Sequence, residues 1–180
     1  MKKAIILTCT GFKDYEAIYP YYRLLEEGFE VDVIADTVPK VTGILGGSIP
    51  SNFPIMNLSL DSAKKEFLET CDILILPGGV TSLEKLRLYK DAVSFVAEWN
   101  NRNKIIGSIC SGAQMLISAK AINGRRISAY YSMEQDIWNA GATFIDAPSV
   151  VDSNIISSPH YKWLGQWMKE VINVYNNKNK

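Results

Sequence analysis

The chain has a single histidine and three cysteines in 180 residues, and no two cysteines form a Cys-x-x-Cys pair. One histidine is too few for a His-based zinc site, and three scattered cysteines cannot all be disulfide-bonded. Free thiols in a reducing compartment are expected. Net charge is missing too: nineteen basic residues cancel nineteen acidic ones. That leaves no electrostatic footprint for nucleic acid or an anionic membrane. No apolar run approaches the ~18–20 residues that span a bilayer. The opening Met1-Lys2-Lys3-Ala4-Ile5-Ile6-Leu7 superficially resembles a signal peptide, but its apolar stretch breaks at Thr8-Cys9-Thr10-Gly11. A strand and a cytoplasmic protein are expected instead. Repeats, linkers and low-complexity segments are absent as well.

What is present is enough apolar material for one core, at 47% hydrophobic residues. A single domain over residues 1–175 is expected, with a frayed polar tail at 176–180. Apolar runs of strand length alternate with helical patterns throughout. Lys3–Cys9, Glu30–Ala35, Asp72–Leu76, Lys104–Ile109, Ser128–Ser132, Thr143–Val150 and Ile155–Ser158 read as strands. Ile18, Tyr22 and Leu25 recur at helical spacing, and Pro20 places the regular start of that helix near Tyr19. Residues 36–60 read as irregular, with a short hairpin. Ser62–Thr70 forms a helix capped by Asp61, Ala92, Phe95, Val96 and Trp99 line one face of another, and Ser111–Ala121 and Trp163–Tyr175 follow. Strands buried on both faces and joined by helices predict an α/β fold, a doubly wound, mainly parallel sheet sandwiched by helices. In such a sheet the ligand crevice lies beyond the carboxyl ends of the strands, just after Leu76, Ile109 and Ser158.

Gly107-Ser108-Ile109-Cys110-Ser111-Gly112 is the most informative stretch. Small residues flank a cysteine between a buried strand and a helix, which is the layout of a nucleophile elbow. A helix N-terminus there is expected to draw the thiol below its ordinary pKa; the plain alternative is a small buried cysteine at a tight turn. Pro77-Gly78-Gly79 also ends a strand. Its Gly79 N–H joins that of Ser111 in an oxyanion hole, or the segment is an ordinary strand-to-helix turn. It is not a Walker loop, because no Gly-Lys-Ser/Thr follows.

These residues carry a resemblance. Asp72-Ile73-Leu74-Ile75-Leu76-Pro77-Gly78-Gly79, the Cys110 elbow, Ala140-Gly141-Ala142 and Asn154-Ile155-Ile156-Ser157-Ser158 resemble the ThiJ/PfpI family, from Lys3 to about Val174. The family belongs to the class I glutamine amidotransferase-like superfamily, so the resemblance implies a flavodoxin-like fold and a homodimer. It implies that Cys110 is the nucleophile and that Glu16 is the acidic residue that shares a proton with the thiolate. A carboxyl beside a thiolate in a cleft has its pKa raised and donates a hydrogen bond; otherwise Glu16 is a solvated first-turn acid. Glu84 matches an acidic position that some members aim across a subunit interface, or is a surface residue near Arg87. The peptidase branch places histidine directly after the cysteine, whereas Ser111 stands here. Any imidazole must therefore come from His160, beyond the last strand, where amidotransferase relatives keep their triad histidine. Cys9 is a weak rival that lines the same crevice, and Cys71 belongs to the core.

Two function classes follow. One is a cysteine-dependent enzyme acting on a small carbonyl or amide compound, with Cys110, Glu16 and His160 catalytic and Gly79 and Ser111 holding the oxyanion. The other is a redox-sensing or stress-response protein whose Cys110 oxidises. A glutaminase-like subunit is weakened by Ser108 in the first glycine place of the elbow. A small-molecule substrate is expected, with Tyr130 and Tyr131 near it, and no metal or organic cofactor is implied.

Overall fold

The computed structural model describes residues 2–178. In chain order the elements are β1 (Lys3–Leu7), α1 (Asp14–Glu26), β2 (Glu30–Ala35), β3 (Lys40–Thr42), β4 (Ser48–Pro50), β5 (Phe53–Pro54), α2 (Asp61–Thr70) and β6 (Ile73–Leu76). There follow α3 (Val80–Leu86), α4 (Lys90–Asn101), β7 (Ile105–Ile109), α5 (Ala113–Ser118), β8 (Arg126–Ile127), α6 (Glu134–Asn139), β9 (Thr143–Phe144), β10 (Val150–Asp152), β11 (Ile155–Ser158) and α7 (Leu164–Lys178).

Successive residues of a strand point to opposite faces, and here both faces are apolar. Ala4, Ile6, Ile73 and Ile75 pack with Leu24 of α1 and Trp167, Met168 and Val171 of α7. Ile5, Leu7, Leu74 and Leu76 pack instead with Phe67 of α2, Phe95 and Trp99 of α4 and Met115 of α5. Each buried indole N–H has a partner, Trp99 donating to the Ile105 carbonyl and Trp167 to that of Ile156, both at 3.0 Å. The seven strands run β10-β11-β7-β6-β1-β2-β5, all parallel except β10, which pairs antiparallel with β11. This is a flavodoxin-like α/β fold. The chain winds outward from β1 through β2 and β5, then the other way through β6, β7 and β11. The reversal between β1 and β6 is a topological switch point, where the loops part and leave a crevice. No helix among the described residues is long and apolar enough to cross a membrane.

The structure corrects several expectations. The first helix begins at Asp14, with Pro20 inside it. Tertiary bonds explain this: Asp14 accepts the Leu45 and Gly47 N–H groups, and Glu16 accepts that of Gly78. These hold the first turn against the ~3 kcal/mol cost of an interior proline. The buried stripe is accordingly Ala17, Pro20 and Leu24, while Tyr22 and Leu25 lie 60% and 41% exposed. Asp61 starts α2 but makes no cap bond. A separate short helix, α3, precedes α4. Ser128–Ser132 is not a strand, because the Ser128 N–H is taken by the Ser157 side chain. Thr143–Val150 splits into β9 and β10 around Pro148, which has no N–H for a ladder. The elbow helix opens with a 3₁₀ turn at Cys110–Gly112, and α5 stops at Ser118. Helix α7 continues to Lys178, past the start of the expected frayed tail, and Asn179 and Lys180 lie outside the described residues.

Candidate active site

Four strand ends converge at the switch point. β7 is buried throughout and ends at Ile109 in extended backbone, and Cys110 then turns to φ 57°. A non-glycine residue at such an angle stores roughly 1–3 kcal/mol and persists only where its surroundings force it. They do so here: a Cβ at Gly78 would come within 2.9 Å of the Cys110 Cβ and would clash with Glu16 Oε2. Gly79 is needed for a second reason. Its φ is +118°, and a Cβ would sit 2.7 Å from the Lys13 nitrogen.

Glu16, on the first turn of α1, is fully buried. Its Oε2 accepts the Gly78 N–H at 2.9 Å, and its Oε1 has no hydrogen-bond partner among the described residues. The Cys110 thiol lines the same cleft. Burial pushes the Glu16 carboxyl up to about 7, against the pull of the Gly78 N–H, Cys110 and Lys13. Burial also pushes the Cys110 thiol up, to about 12, helped by the charge of Glu16 and opposed by the N–H and hydroxyl of Ser111. This reverses the expectation of a thiol lowered by a helix N-terminus. The donors at Ser111 are present, but loss of water and a neighbouring acid outweigh them. Glu16 and Cys110 occupy one site, so their protons leave as a pair, and the first departs near neutrality.

The expected oxyanion donors are both engaged. The Gly79 N–H donates to Ser111 Oγ at 2.9 Å, and the Ser111 N–H donates to the Cys110 sulfur. His160 lines the same cleft as Cys110 and Glu16. Its Nδ1 accepts the Lys162 N–H at 3.2 Å, which puts the ring proton on Nε2. The ring packs on Tyr161 at 4.0 Å between centroids, with Tyr130 and Tyr131 at 6.3 and 6.4 Å. Burial first, then the charges of Lys162 and Lys13, lower its pKa. No hydrogen bond joins it to Cys110. The capping bond to Lys162 and the packing on Tyr161 set the ring's place in the cleft it shares with Cys110.

The cleft holds about 440 Å³ and is also lined by Lys13, Ile44, Gly79, Val80, Thr81, Ser111, Tyr130 and Tyr161. Ile44 comes from the β3–β4 hairpin, and no local signal in the sequence could have placed it there. Cys9 does not line the cleft but is buried in the core, where burial and Asp36 push it up to about 12. Cys71 is also buried, pushed up by burial to about 11. Glu84 is exposed on α3 without an ion pair among the described residues, and Arg87 bonds Ser118 instead.

Comparison with known proteins agrees with this architecture. The model of the DJ-1/PfpI family matches residues 2–174. A deglycase from Pyrococcus horikoshii is 38% identical over 170 residues, covering 94% of this chain and 97% of its own. A deglycase from Pyrococcus furiosus is 36% identical over the same shares. Among solved structures, a two-domain protein from Anabaena variabilis with DJ-1/ThiJ/PfpI-like and ferritin-like domains superposes with a TM-score of 0.88 at 27% identity. The match covers 98% of this chain but 48% of that one, so the chain spans about half its length. DJ-1 from Schizosaccharomyces pombe has the same fold, with a TM-score of 0.81 at 20% identity over 97% of this chain and 90% of its own. The match over nearly the whole chain, the sheet order and the Cys110 elbow lead to one assignment: the chain belongs to the DJ-1/PfpI family.

Proposed function

We propose that this protein is a cysteine-dependent enzyme acting on small carbonyl compounds, of glyoxalase or deglycase type, through the Cys110 thiolate. The observation that carries the reading is the Glu16–Cys110 pair, a buried carboxyl near neutral pKa against a strained elbow thiol. Glu16 takes the thiol proton, and the sulfur adds to the carbonyl carbon. The carbon–sulfur bond forms as the carbonyl π pair moves to oxygen, which recovers the proton from Glu16. His160 offers its Nε2–H to the substrate from the cleft wall, as a donor rather than a base. The deglycase names of relatives at 36–38% identity support this chemistry. Amide hydrolysis shares the first attack but needs an oxyanion hole, which the engaged Gly79 and Ser111 donors do not offer.

The test is a panel of methylglyoxal and a chromogenic amide with wild type and Cys110→Ala. Methylglyoxal consumption by wild type, lost in Cys110→Ala, is the expected result. Equal consumption by the two would overturn the reading. A redox-sensing role is the second reading, favoured by Cys110 being the one cysteine that reaches the cleft. Peroxide that oxidises Cys110 reversibly in a protein without turnover would select it. A homodimer in the cytoplasm, without nucleic-acid or membrane partners, completes the proposal; free cysteines and balanced charge support it.

A further inference from the structure

Ser111 follows the nucleophile, and its side chain has bonds that the proposed addition does not use. It is only 5% exposed. Its Oγ accepts the Gly79 N–H at 2.9 Å, and its side chain pulls the Cys110 thiol down against the effect of burial. A hydroxyl has one proton and two lone pairs, so the group that accepts from Gly79 keeps a proton to offer the neighbouring sulfur. The neighbouring Gly78 N–H is spent on Glu16 Oε2. Both backbone donors at the end of β6 are thus occupied by side chains of the protein itself.

We propose that the Ser111 hydroxyl is a positioning and specificity-determining group: by filling the oxyanion place at Gly79 it restricts the Cys110 site to aldehydes and ketones and excludes amides. The proposal rests on the carbonyl-addition reading above and deepens it. Addition of a thiol to an aldehyde or ketone forms one carbon–sulfur bond, and the proton that left the sulfur ends on the carbonyl oxygen. Nothing departs, and the adduct is neutral. Attack on an amide builds a tetrahedral oxyanion that must be held while the carbon–nitrogen bond breaks and the nitrogen takes a proton. The thioester left on Cys110 then consumes one water to release the acid. One donor to such an oxyanion is worth about 10²–10³ in kcat. Removing the Gly79 N–H from use therefore penalises acyl transfer and leaves carbonyl addition nearly untouched. The same hydroxyl keeps a donor on the sulfur, which favours the thiolate.

The experiment compares the full chain as wild type, Ser111→Ala, Ser111→Thr and Cys110→Ala. Methylglyoxal loss and p-nitroanilide hydrolysis are followed, and iodoacetamide alkylation of Cys110 is titrated against pH by peptide mapping. Ser111→Ala frees the Gly79 N–H and strips one donor from the sulfur. The amide-to-methylglyoxal ratio of kcat/KM is expected to rise at least about tenfold, and the alkylation midpoint to move up by about one pH unit. Ser111→Thr keeps the hydroxyl and should return both readouts towards wild type. An unchanged ratio in a folded Ser111→Ala overturns the proposal, even where the alkylation midpoint moves. Should Ser111→Ala fail to fold, wild type decides: amide turnover as efficient as that of methylglyoxal overturns the claim, and a large excess for methylglyoxal upholds it. Methylglyoxal loss that ignores Cys110→Ala removes the underlying reading. Cys110-dependent loss with an unchanged Ser111→Ala ratio removes this proposal alone.

Discussion

Glu16 holds its proton to a higher pH in the native protein than an unfolded chain would, because burial pushes it to about 7. Between the ordinary carboxylate range and about pH 7 the native state therefore binds more protons than the unfolded state. Its stability falls as pH rises through that window and levels off above it. The loss is about 3 kcal/mol by pH 8, taking 1.36 kcal/mol per unit. Glu16→Gln should abolish this slope, as urea unfolding of both proteins from pH 4.5 to 8 would measure. Asp32 is also raised by burial and contributes equally to both, so the difference between them isolates Glu16. The same pair governs reactivity. Alkylation of Cys110 is expected to rise with an inflection near pH 7 that Glu16→Gln removes, while buried Cys9 and Cys71 label far more slowly. Faster labelling of either at pH 6 would refute the assignment of the nucleophile.

Among the elements, the β3–β4 hairpin matters more than its length suggests. It reaches the cleft through Ile44, and its turn is tied to α1 by the two N–H bonds that Leu45 and Gly47 make to Asp14. The Asp14 side chain thus fixes the start of α1, which carries Glu16, and also one wall of the site. Asp14→Ala leaves two backbone donors without their acceptor and is expected to cost about 2–3 kcal/mol. Proteolysis between Gly43 and Gly47 should accelerate, and KM for a small carbonyl substrate should rise more than kcat falls. Chemical denaturation, limited proteolysis and steady-state kinetics would show it.

At the scale of the whole molecule, α1 turns aromatic residues outward. Tyr15, Tyr19 and Tyr22 are 54%, 37% and 60% exposed, and with Ile18, Tyr161 and Leu164 they line a shallow hollow of about 470 Å³. Tyr161 borders both this hollow and the Cys110 cleft. The proposed homodimer would cover this face, the apolar side of a helix whose other side is already packed on the sheet. Sedimentation at micromolar concentration should give a species near twice the 20.1 kDa chain mass, and Tyr19→Glu with Tyr22→Glu should shift it to monomer. A 20 kDa species from the unaltered protein would count against self-association. Two of the four tryptophans, Trp99 and Trp167, are wholly buried in the core, so they contribute nothing to such a surface.

The sequence by itself determined the layers of the fold and the place of the chemistry. Runs such as Ile73–Leu76 and Ile105–Ile109 are apolar at every position, which only a sheet covered on both faces satisfies. The small residues around Cys110 mark the elbow because a crowded turn admits nothing larger. Even the face of α4, Ala92, Phe95, Val96 and Trp99, was legible from spacing alone, and all four are buried. What spacing could not convey was decided by bonds between residues far apart in the chain. Asp14 and Glu16, anchored to residues 45, 47 and 78, start α1 ahead of its proline and turn the tyrosines outward. Ser157 takes the N–H that would have extended a strand at Ser128. In the site, burial beside Glu16 reverses the expected shift of the thiol. Ser111 Oγ takes the Gly79 N–H that was expected to face an oxyanion, and Lys162 sets the tautomer of His160. Local pattern reports how much apolar surface a segment must hide. The partners of each buried polar group are fixed only when the chain closes on itself, because desolvation and hydrogen-bond satisfaction depend on what tertiary packing brings within about 3 Å.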